Sequence, residues 1–190
     1  MIDIYSTKSP YIGEKVKLRP LEKDDLESIM KYWNTYESRI GLGLLIPMSS
    51  MMEADFIESV HNRAKSGKGY IFAIEDVTSG EFLGTCGIED INFISRSAEL
   101  GIAIHNPDNH SKGYGTDTMK CLLKFGFNIL NLHRIELWVM EYNERAIHVY
   151  KKVGFKEVGR KRDAHFLQGM YHDVIVMDIL EEEFQQIYSQ

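Results

Sequence analysis

Hydrophobic and polar positions along the chain alternate between the two-residue period of strands and the 3.6-residue period of helices. Four segments follow the strand pattern, at 16–19, 69–76, 82–93 and 97–104. The polar turn at 77–81 predicts that the second and third of them form a hairpin. Ser50 and Glu53 predict a capping box for a helix that ends before Gly67.

The stretch from 109 to 140 places a helix between two strands. Its helical stripe begins after Gly115 and consists of Met119, Leu122, Leu123, Phe127 and Leu130. The segment 134–140 is apolar on both faces, which is typical of a strand buried inside a sheet. The order strand, loop, helix, strand predicts a mixed α/β sheet with an embedded βαβ crossover.

A last helical face follows. Ala146, Ile147, Tyr150 and Val153 lie on one side of a helix, and Gly154 predicts its end. A further strand is predicted directly after this glycine.

Composition narrows the class of protein. The chain has 190 residues, is 44% hydrophobic and contains no linker, repeat or low-complexity tract, so one domain spanning 1–190 is expected. Its net charge of -6 disfavours nucleic acid as a partner and weakly favours a cationic substrate. The first twenty residues contain no sustained apolar run, so we expect neither a signal peptide nor a membrane span. Cys86 and Cys121 lie far apart and form no paired motif, which favours a reducing, cytoplasmic compartment.

Two glycines at a helix start raise the possibility of an anion site. Gly113 and Gly115 follow the polar loop that begins at Asn109, and free backbone amides at a helix N-terminus attract phosphates. An ordinary turn explains an isolated G-x-G equally well, and the spacing fits neither a Walker loop nor a dinucleotide fingerprint. The seven histidines show no metal-ligand spacing, so no metal is expected.

A resemblance to a known family resolves this ambiguity. The spacing from Asn143 through Ala146 and Tyr150 to Phe155 resembles the N-x-x-A-[IV]-x-x-Y-x-x-x-G-F signature of the GNAT superfamily of acyl-coenzyme A N-acyltransferases. The segment HSKGYG resembles its pyrophosphate loop, although His110 stands where the family usually has Gln or Arg. The opening KLRPLEKDD and the tail after 159 resemble the branch with ribosomal-protein alanine and spermidine acetyltransferases, so the likeness covers roughly 16–180.

The resemblance implies a fold and a cosubstrate. The fold is α+β, with a central mixed, mostly antiparallel twisted sheet flanked by helices, and its central parallel strands are splayed. The cosubstrate is acetyl-CoA, whose pyrophosphate would bind the loop amides and whose pantetheine arm would follow the strand 97–104. An N–H near Ile102 or Ala103 would polarise the thioester carbonyl. The residues expected to bind acetyl-CoA are Ile102, Ala103, Ile104, His110, Ser111, Lys112, Gly113, Tyr114, Gly115, Thr116, Asn143 and Ala146.

The resemblance also implies direct transfer of the acetyl group to a primary amine. Tyr150 matches the family's general acid for the departing thiolate, whereas its position on the apolar stripe, taken without the motif, favours a core tyrosine. For the general base, strand alternation puts Glu99 and His105 on the face toward the cleft, and Glu89 and Asp90 on the preceding strand compete with them. Glu99 is the chosen base, although an exposed strand residue without a role explains each of these positions as well.

The acceptor stays open between a small cationic, polyamine-like amine and a protein N-terminal amine. A different class of function is a non-catalytic module that binds and senses acetyl-CoA. The presence of both Asn143 and Tyr150 argues against that alternative, because binding alone needs no acid. The resemblance also allows a homodimer, since members of the family often form dimers.

Overall fold

A computed structural model describes residues 9–188 and contains one sheet of seven strands. The strands are β1 (Val16–Pro20), β2 (Tyr70–Asp76), β3 (Phe82–Asn92), β4 (Ser97–Ile104), β5 (Arg134–Met140), β6 (Lys156–Leu167) and β7 (Met170–Leu180). They lie in the order β1-β2-β3-β4-β5-β7-β6. Only β4 and β5 pair in parallel, so the predicted mixed, mostly antiparallel sheet is confirmed.

Six α-helices flank this sheet in the described range. They are α1 (Leu26–Trp33), α2 (Tyr36–Gly41), α3 (Ser50–Lys65), α4 (Tyr114–Lys124), α5 (Glu144–Lys152) and α6 (Glu181–Tyr188). A short 3-10 turn precedes α1, and α4 continues into a π-helical turn at Phe125–Ile129. The predicted stripe of α4 packs as expected, because Met119, Leu122 and Leu123 are completely buried.

Two hydrophobic clusters hold these layers together. The larger cluster lies between the sheet and the helices α4, α5 and α6, and it contains both free cysteines, Cys86 and Cys121. The smaller cluster joins Ile29 of α1 and Ile57 and Val60 of α3 to the sheet. Within residues 9–188, no helix is both long and apolar enough to cross a membrane.

The single parallel pair is very short. Ser97–Glu99 of β4 pairs with Arg134–Glu136 of β5, and the two strands then separate. Beyond this point β4 remains paired with β3 on one side, while β5 remains paired with β7 on the other. The centre of the sheet therefore opens into a wedge whose two sides are strand edges.

The structure corrects three details of the sequence reading. The cap of α3 is Ser49, whose Oγ accepts from the Met52 amide at 3.2 Å, so the predicted capping box at Ser50 is wrong by one residue. β5 is not buried on both faces, because 43% of Trp138 is exposed beside the wedge. The helix α2 was not predicted, since six residues are too few to show a clear helical period.

Candidate active site

The wedge between β4 and β5 opens into a cavity of about 570 Å³. This volume lies in the range of pockets that bind small molecules and cofactors. Its walls come from the far half of β4, the loop before α4, the end of β5, one face of α5, and the segment from α1 to α2. Separate stretches of the chain thus meet where β4 and β5 have separated.

The loop before α4 presents unpaired backbone amides to this cavity. Asp117 is the first residue of α4 whose amide is bonded to the backbone, to the Gly113 carbonyl at 3.1 Å. Within residues 9–188, the amides of the preceding turn have no such partner. Gly113 caps the helix with φ +90°, a conformation that disfavours residues with a Cβ. A Cβ on Gly115 would meet no atom within 4 Å, so this glycine leaves open space at the mouth of the cavity.

The Asp117 carboxylate in the first turn of α4 is held by backbone amides at the start of β1, so it repels a bound anion only weakly. Asp117 is buried, and its Oδ2 accepts from the amides of Lys15 at 2.7 Å and Val16 at 3.0 Å. The Lys15 ammonium donates to the Lys112 carbonyl at 2.7 Å, which places a cation beside the loop. The helix start therefore combines free amides with a neighbouring positive charge, as an anion site requires.

On β4, alternate amides point in opposite directions. The His105 amide donates to the Leu83 carbonyl on β3 at 2.9 Å. Because successive N–H groups of a strand face opposite edges, the amide of Ala103 also faces β3, while those of Ile102 and Ile104 face the wedge. Of the two donors considered for the thioester carbonyl, only Ile102 has its N–H directed into the cavity.

The side chain of His110 bridges the loop, β4 and α5. Its Nε2 lies 3.0 Å from the Ile104 carbonyl oxygen, and its Nδ1 contacts the Arg145 guanidinium. Burial lowers the pKa of His110, and the charge of Arg145 lowers it further, against the hydrogen bond to Ile104. We therefore assign the neutral tautomer that donates from Nε2 and accepts at Nδ1.

Tyr150 projects from α5 into the same cavity. Only 8% of the residue's surface is exposed. Within the described chain its hydroxyl has no hydrogen-bond partner. Burial raises the pKa of Tyr150 to about 12. The group is thus protonated at neutral pH and free to donate a hydrogen bond.

Asn143 begins α5 and connects it to α2. Its Oδ1 accepts from the Ala146 amide at 3.2 Å, which caps the helix. Its Nδ2 donates to the Gly41 carbonyl at 3.0 Å. The signature asparagine therefore fixes the orientation of the helix that carries Tyr150, and it lines the cavity as well.

Four carboxylates form a row across the sheet at the vertex of the wedge. Glu89, Glu99, Glu136 and Asp178 are register partners on β3, β4, β5 and β7. Directly opposite residues share one face, and neighbouring strands lie about 4.8 Å apart. Arg63 pairs with Glu89, and Arg134 pairs with both Glu136 and Asp178.

Within residues 9–188, Glu99 is the member of this row without a cationic partner. Its Oε1 accepts instead from Trp138 Nε1 at 2.6 Å. Partial burial raises the pKa of Glu99, the Trp138 hydrogen bond opposes this change, and the nearby Asp90, Glu136 and Glu89 raise it further. Glu99 lines the cavity and is suited to bind a cation.

The alternative bases are placed less favourably. His105 lines the cavity but is 2% exposed, and its ring packs against Trp33 with 4.8 Å between centroids. Burial lowers the pKa of His105 to about 4, which makes it a weak base. Neither Glu89 nor Asp90 lines the cavity.

The structure brings most of the expected site residues together. Those that line the cavity are Glu99, Ile102, Ala103, Ile104, His110, Ser111, Gly113, Gly115, Thr116, Asn143, Ala146 and Tyr150. Lys112 and Tyr114 do not line it: the Lys112 ammonium donates to Asn109 at 3.2 Å, and the Tyr114 hydroxyl donates to Asp76 at 2.6 Å. Their side chains hold the loop from outside.

Sequence reasoning missed Trp138 and Arg145, which both line the cavity. Trp138 was interpreted as part of the core, although a tryptophan next to charged positions is a signal for a half-exposed site. Arg145 was not considered, although it lies two residues after the signature Asn143 at the start of a helix. A cation expected near a phosphate-binding loop could have identified Arg145 as a residue of the site.

Comparison with known proteins assigns the chain to a family. Residues 15–156 match the family described as the acetyltransferase (GNAT) domain, which is most of the chain. The protein therefore belongs to the GNAT acetyltransferases and is an N-acetyltransferase that uses acetyl-CoA. The expected family and fold are confirmed.

Three relatives show which members of the family this chain is similar to. A spermidine N(1)-acetyltransferase of Escherichia coli (strain K12) is 32% identical over 181 residues, covering 90% of this chain and 89% of the relative. A spermidine N-acetyltransferase from Vibrio cholerae, solved in complex with CoA and spermine, is 31% identical with a TM-score of 0.79, over 89% of this chain and 97% of that one. A putative ribosomal N-acetyltransferase of Bacillus subtilis (strain 168) is 24% identical over 92% of this chain and 96% of the relative.

The cavity fits the cosubstrate of this family. Free amides at the start of α4, the open space at Gly115 and the unpaired strand edge at Ile102 suit a phosphate group followed by an extended amide-containing arm. Residues 9–188 hold no group of three or more His, Cys, Asp or Glu side chains that could bind a metal ion.

Proposed function

We propose that the protein acetylates a small aliphatic polyamine, of the spermidine class, with Tyr150 and Glu99 as its proton-transfer groups. The observation that carries this proposal is Glu99, a partly buried carboxylate without a cationic partner at the vertex of the wedge. The polyamine names of the relatives support the same acceptor class. The proposal concerns a direct transfer, without an acyl-enzyme intermediate.

On the coenzyme side, acetyl-CoA supplies a thioester whose carbonyl carbon accepts the amine. The amides of Ser111 to Thr116 bind its pyrophosphate, and the edge of β4 from Ile102 to Ile104 binds its pantetheine arm. The Ile102 amide donates to the thioester oxygen as negative charge develops there. Loss of such a donor typically costs about 3 kcal/mol of transition-state stabilisation.

On the acceptor side, Glu99 attracts the ammonium form of the amine and takes a proton from it. An aliphatic amine with a pKa of about 10.4 is only about 0.04% neutral at pH 7, so it has a greater need of a base than a peptide α-amine. The raised pKa of Glu99 brings the base closer to the amine that it must deprotonate. The row holds four carboxylates against the two cations Arg63 and Arg134, and this excess of negative charge favours an acceptor with more than one positive charge.

In the leaving step, the carbon–sulfur bond breaks as the nitrogen–carbon bond forms, and the sulfur needs a proton. Tyr150 donates its hydroxyl hydrogen bond to this sulfur. With a pKa of about 12 against about 8.5 for a free thiol, full transfer is uphill by about 5 kcal/mol. Tyr150 therefore stabilises the thiolate mainly as a hydrogen-bond donor. Its proton moves to the sulfur only after the carbon–sulfur bond has largely broken.

The proposal is tested by thiol release from acetyl-CoA with a panel of acceptors. The panel contains spermidine, spermine, a monoamine of equal length, and peptides that begin with Ala or Ser. We expect kcat/KM to be highest for the polyamines. Turnover on the peptides alone would overturn the polyamine assignment and favour a protein N-terminal amine.

A matched pair of variants tests the role of Glu99. Glu99→Gln keeps the acceptor for Trp138 but removes the charge, and we expect at least a tenfold loss of kcat/KM for spermidine with KM for acetyl-CoA within twofold. Glu136→Gln is the control, because this carboxylate is already paired with Arg134 at 2.7 Å. Equal losses in both variants would show a general field effect and would contradict a specific role of Glu99.

A further inference from the structure

We infer that His110 is a positioning residue that acts through Arg145, and that Arg145 supplies a cation to the phosphates of acetyl-CoA. The inference rests on the proposed placement of the coenzyme in the cavity. It explains how this chain can bind the coenzyme with a histidine at the position where the pyrophosphate loop of the family usually has Gln or Arg. Neither side chain acts on the acetyl group.

The geometry gives His110 two fixed hydrogen bonds. Its Nε2–H donates to the Ile104 carbonyl at 3.0 Å, and its Nδ1 accepts from an Nη–H of Arg145. Ile104 is the last residue of β4, whereas Arg145 lies in the first turn of α5. The ring thus spans the wedge at the end where the phosphate loop begins.

Arg145 has donors left for a ligand. Its contact with His110 uses one Nη–H, and within the described chain no carboxylate pairs with its guanidinium. A guanidinium carries five N–H donors, so most of them are available. Arg145 lines the same cavity as Ser111, Gly113 and Gly115.

A neutral imidazole is the right partner for this task. A carboxylate in the same place would also orient Arg145, but it would cancel the charge that a phosphate needs. His110 orients the guanidinium and leaves its charge intact, because both burial and Arg145 hold its pKa below the ordinary range. Planar guanidinium donors match phosphate oxygens in pairs.

Two measurements on the full chain test the inference. The first is the Kd of CoA by calorimetry without any acceptor, so that failure of the polyamine proposal does not affect it. We expect Arg145→Gln to raise this Kd about tenfold. Lys151→Gln, which removes the same charge from the same helix outside the cavity lining, is the control and should change Kd less than twofold.

The second measurement uses a double-mutant cycle. If His110 acts through Arg145, His110→Ala raises Kd about fivefold in the native chain but adds nothing in the Arg145→Gln background. His110→Gln should restore most of the affinity, because its amide can donate to Ile104 and accept from Arg145. An equal loss from His110→Ala in both backgrounds would overturn the positioning role.

A substrate without phosphates separates a ligand contact from a structural role. We expect Arg145→Gln to lower kcat/KM about tenfold with acetyl-CoA and to have almost no effect with S-acetylpantetheine as the acetyl donor. An equal loss with both donors would mean that Arg145 only supports the fold, and the inference would fail.

Discussion

At the scale of single residues, Tyr150 is a buried polar group of the cavity, and it is the group proposed to act on the leaving sulfur. Because its pKa of about 12 lies well above that of a thiol, it is a weak acid for this step. We expect Tyr150→Phe to lower kcat by about 10- to 100-fold, which is at or below the low end of the usual range for general acids, with KM for acetyl-CoA nearly unchanged. Steady-state thiol release measures both values. A loss seen only in KM would contradict the role at the sulfur.

His105 makes a separate prediction about stability. Its pKa of about 4 in the folded chain lies below the ordinary value of 6.5, so below pH 6.5 the unfolded chain binds a proton that the folded chain does not. This contribution to stability is complete above pH 6.5 and is lost as the pH falls towards 4. Between pH 7 and pH 5 the loss amounts to about 2 kcal/mol.

Urea unfolding at these two pH values measures the effect. In His105→Gln the free energy of unfolding should fall about 2 kcal/mol less over the same interval, even if the variant is less stable at pH 7. A parallel decrease in both proteins would assign the pH dependence to other groups.

At the scale of elements, two glycines at the start of α4 have different roles. Gly113 adopts φ +90°, so Gly113→Ala should cost about 1–2 kcal/mol of stability. Gly115 lies inside the first turn with open space around its Cα, so Gly115→Ala should leave stability unchanged or raise it by up to about 1 kcal/mol. The same methyl group would occupy the proposed phosphate position.

Thermal unfolding and CoA binding distinguish the two variants. We expect Gly115→Ala to keep its Tm but to raise the Kd of CoA at least tenfold, whereas Gly113→Ala should lose Tm as well. If Gly115→Ala binds CoA normally, the phosphate does not lie over this turn.

The elements also show what the sequence could predict. Periodic segments such as β2, β4 and α4 were found because each buries one face or both, and burial leaves its period in the residue pattern. The split between β4 and β5 leaves no such pattern, since backbone pairing does not depend on which side chains alternate. It was expected only because two motifs resembled a family. The contact between His110 and Arg145 was invisible for a related reason: its partners are 35 residues apart and meet only through the fold.

At the scale of the whole molecule, the charges are separated along β4. Glu99 and the row of carboxylates lie at the vertex of the wedge, while Arg145 and Lys15 lie near the loop at the other end of the strand. A strand of six residues spans about 20 Å, so both kinds of charge are kept well apart. This arrangement suits a reaction between an anionic coenzyme and a cationic amine, because each is attracted to a different end of one cavity.

The interrupted sheet leads to a last prediction about hydrogen exchange. The amides of Ile102 and Ile104 face the wedge without a strand partner, whereas those of Ala103 and His105 face β3. In the free protein we therefore expect fast exchange at the first pair and slow exchange at the second, although the four residues follow one another along the chain. On the proposed path, CoA lays its extended arm where a neighbouring strand would lie, so its binding should slow exchange at Ile102 and Ile104 selectively. Amide exchange followed by NMR resolves the four sites. Uniform slowing along β4 would mean that CoA stabilises the whole fold without pairing with this edge, and the proposed path of the coenzyme would be wrong.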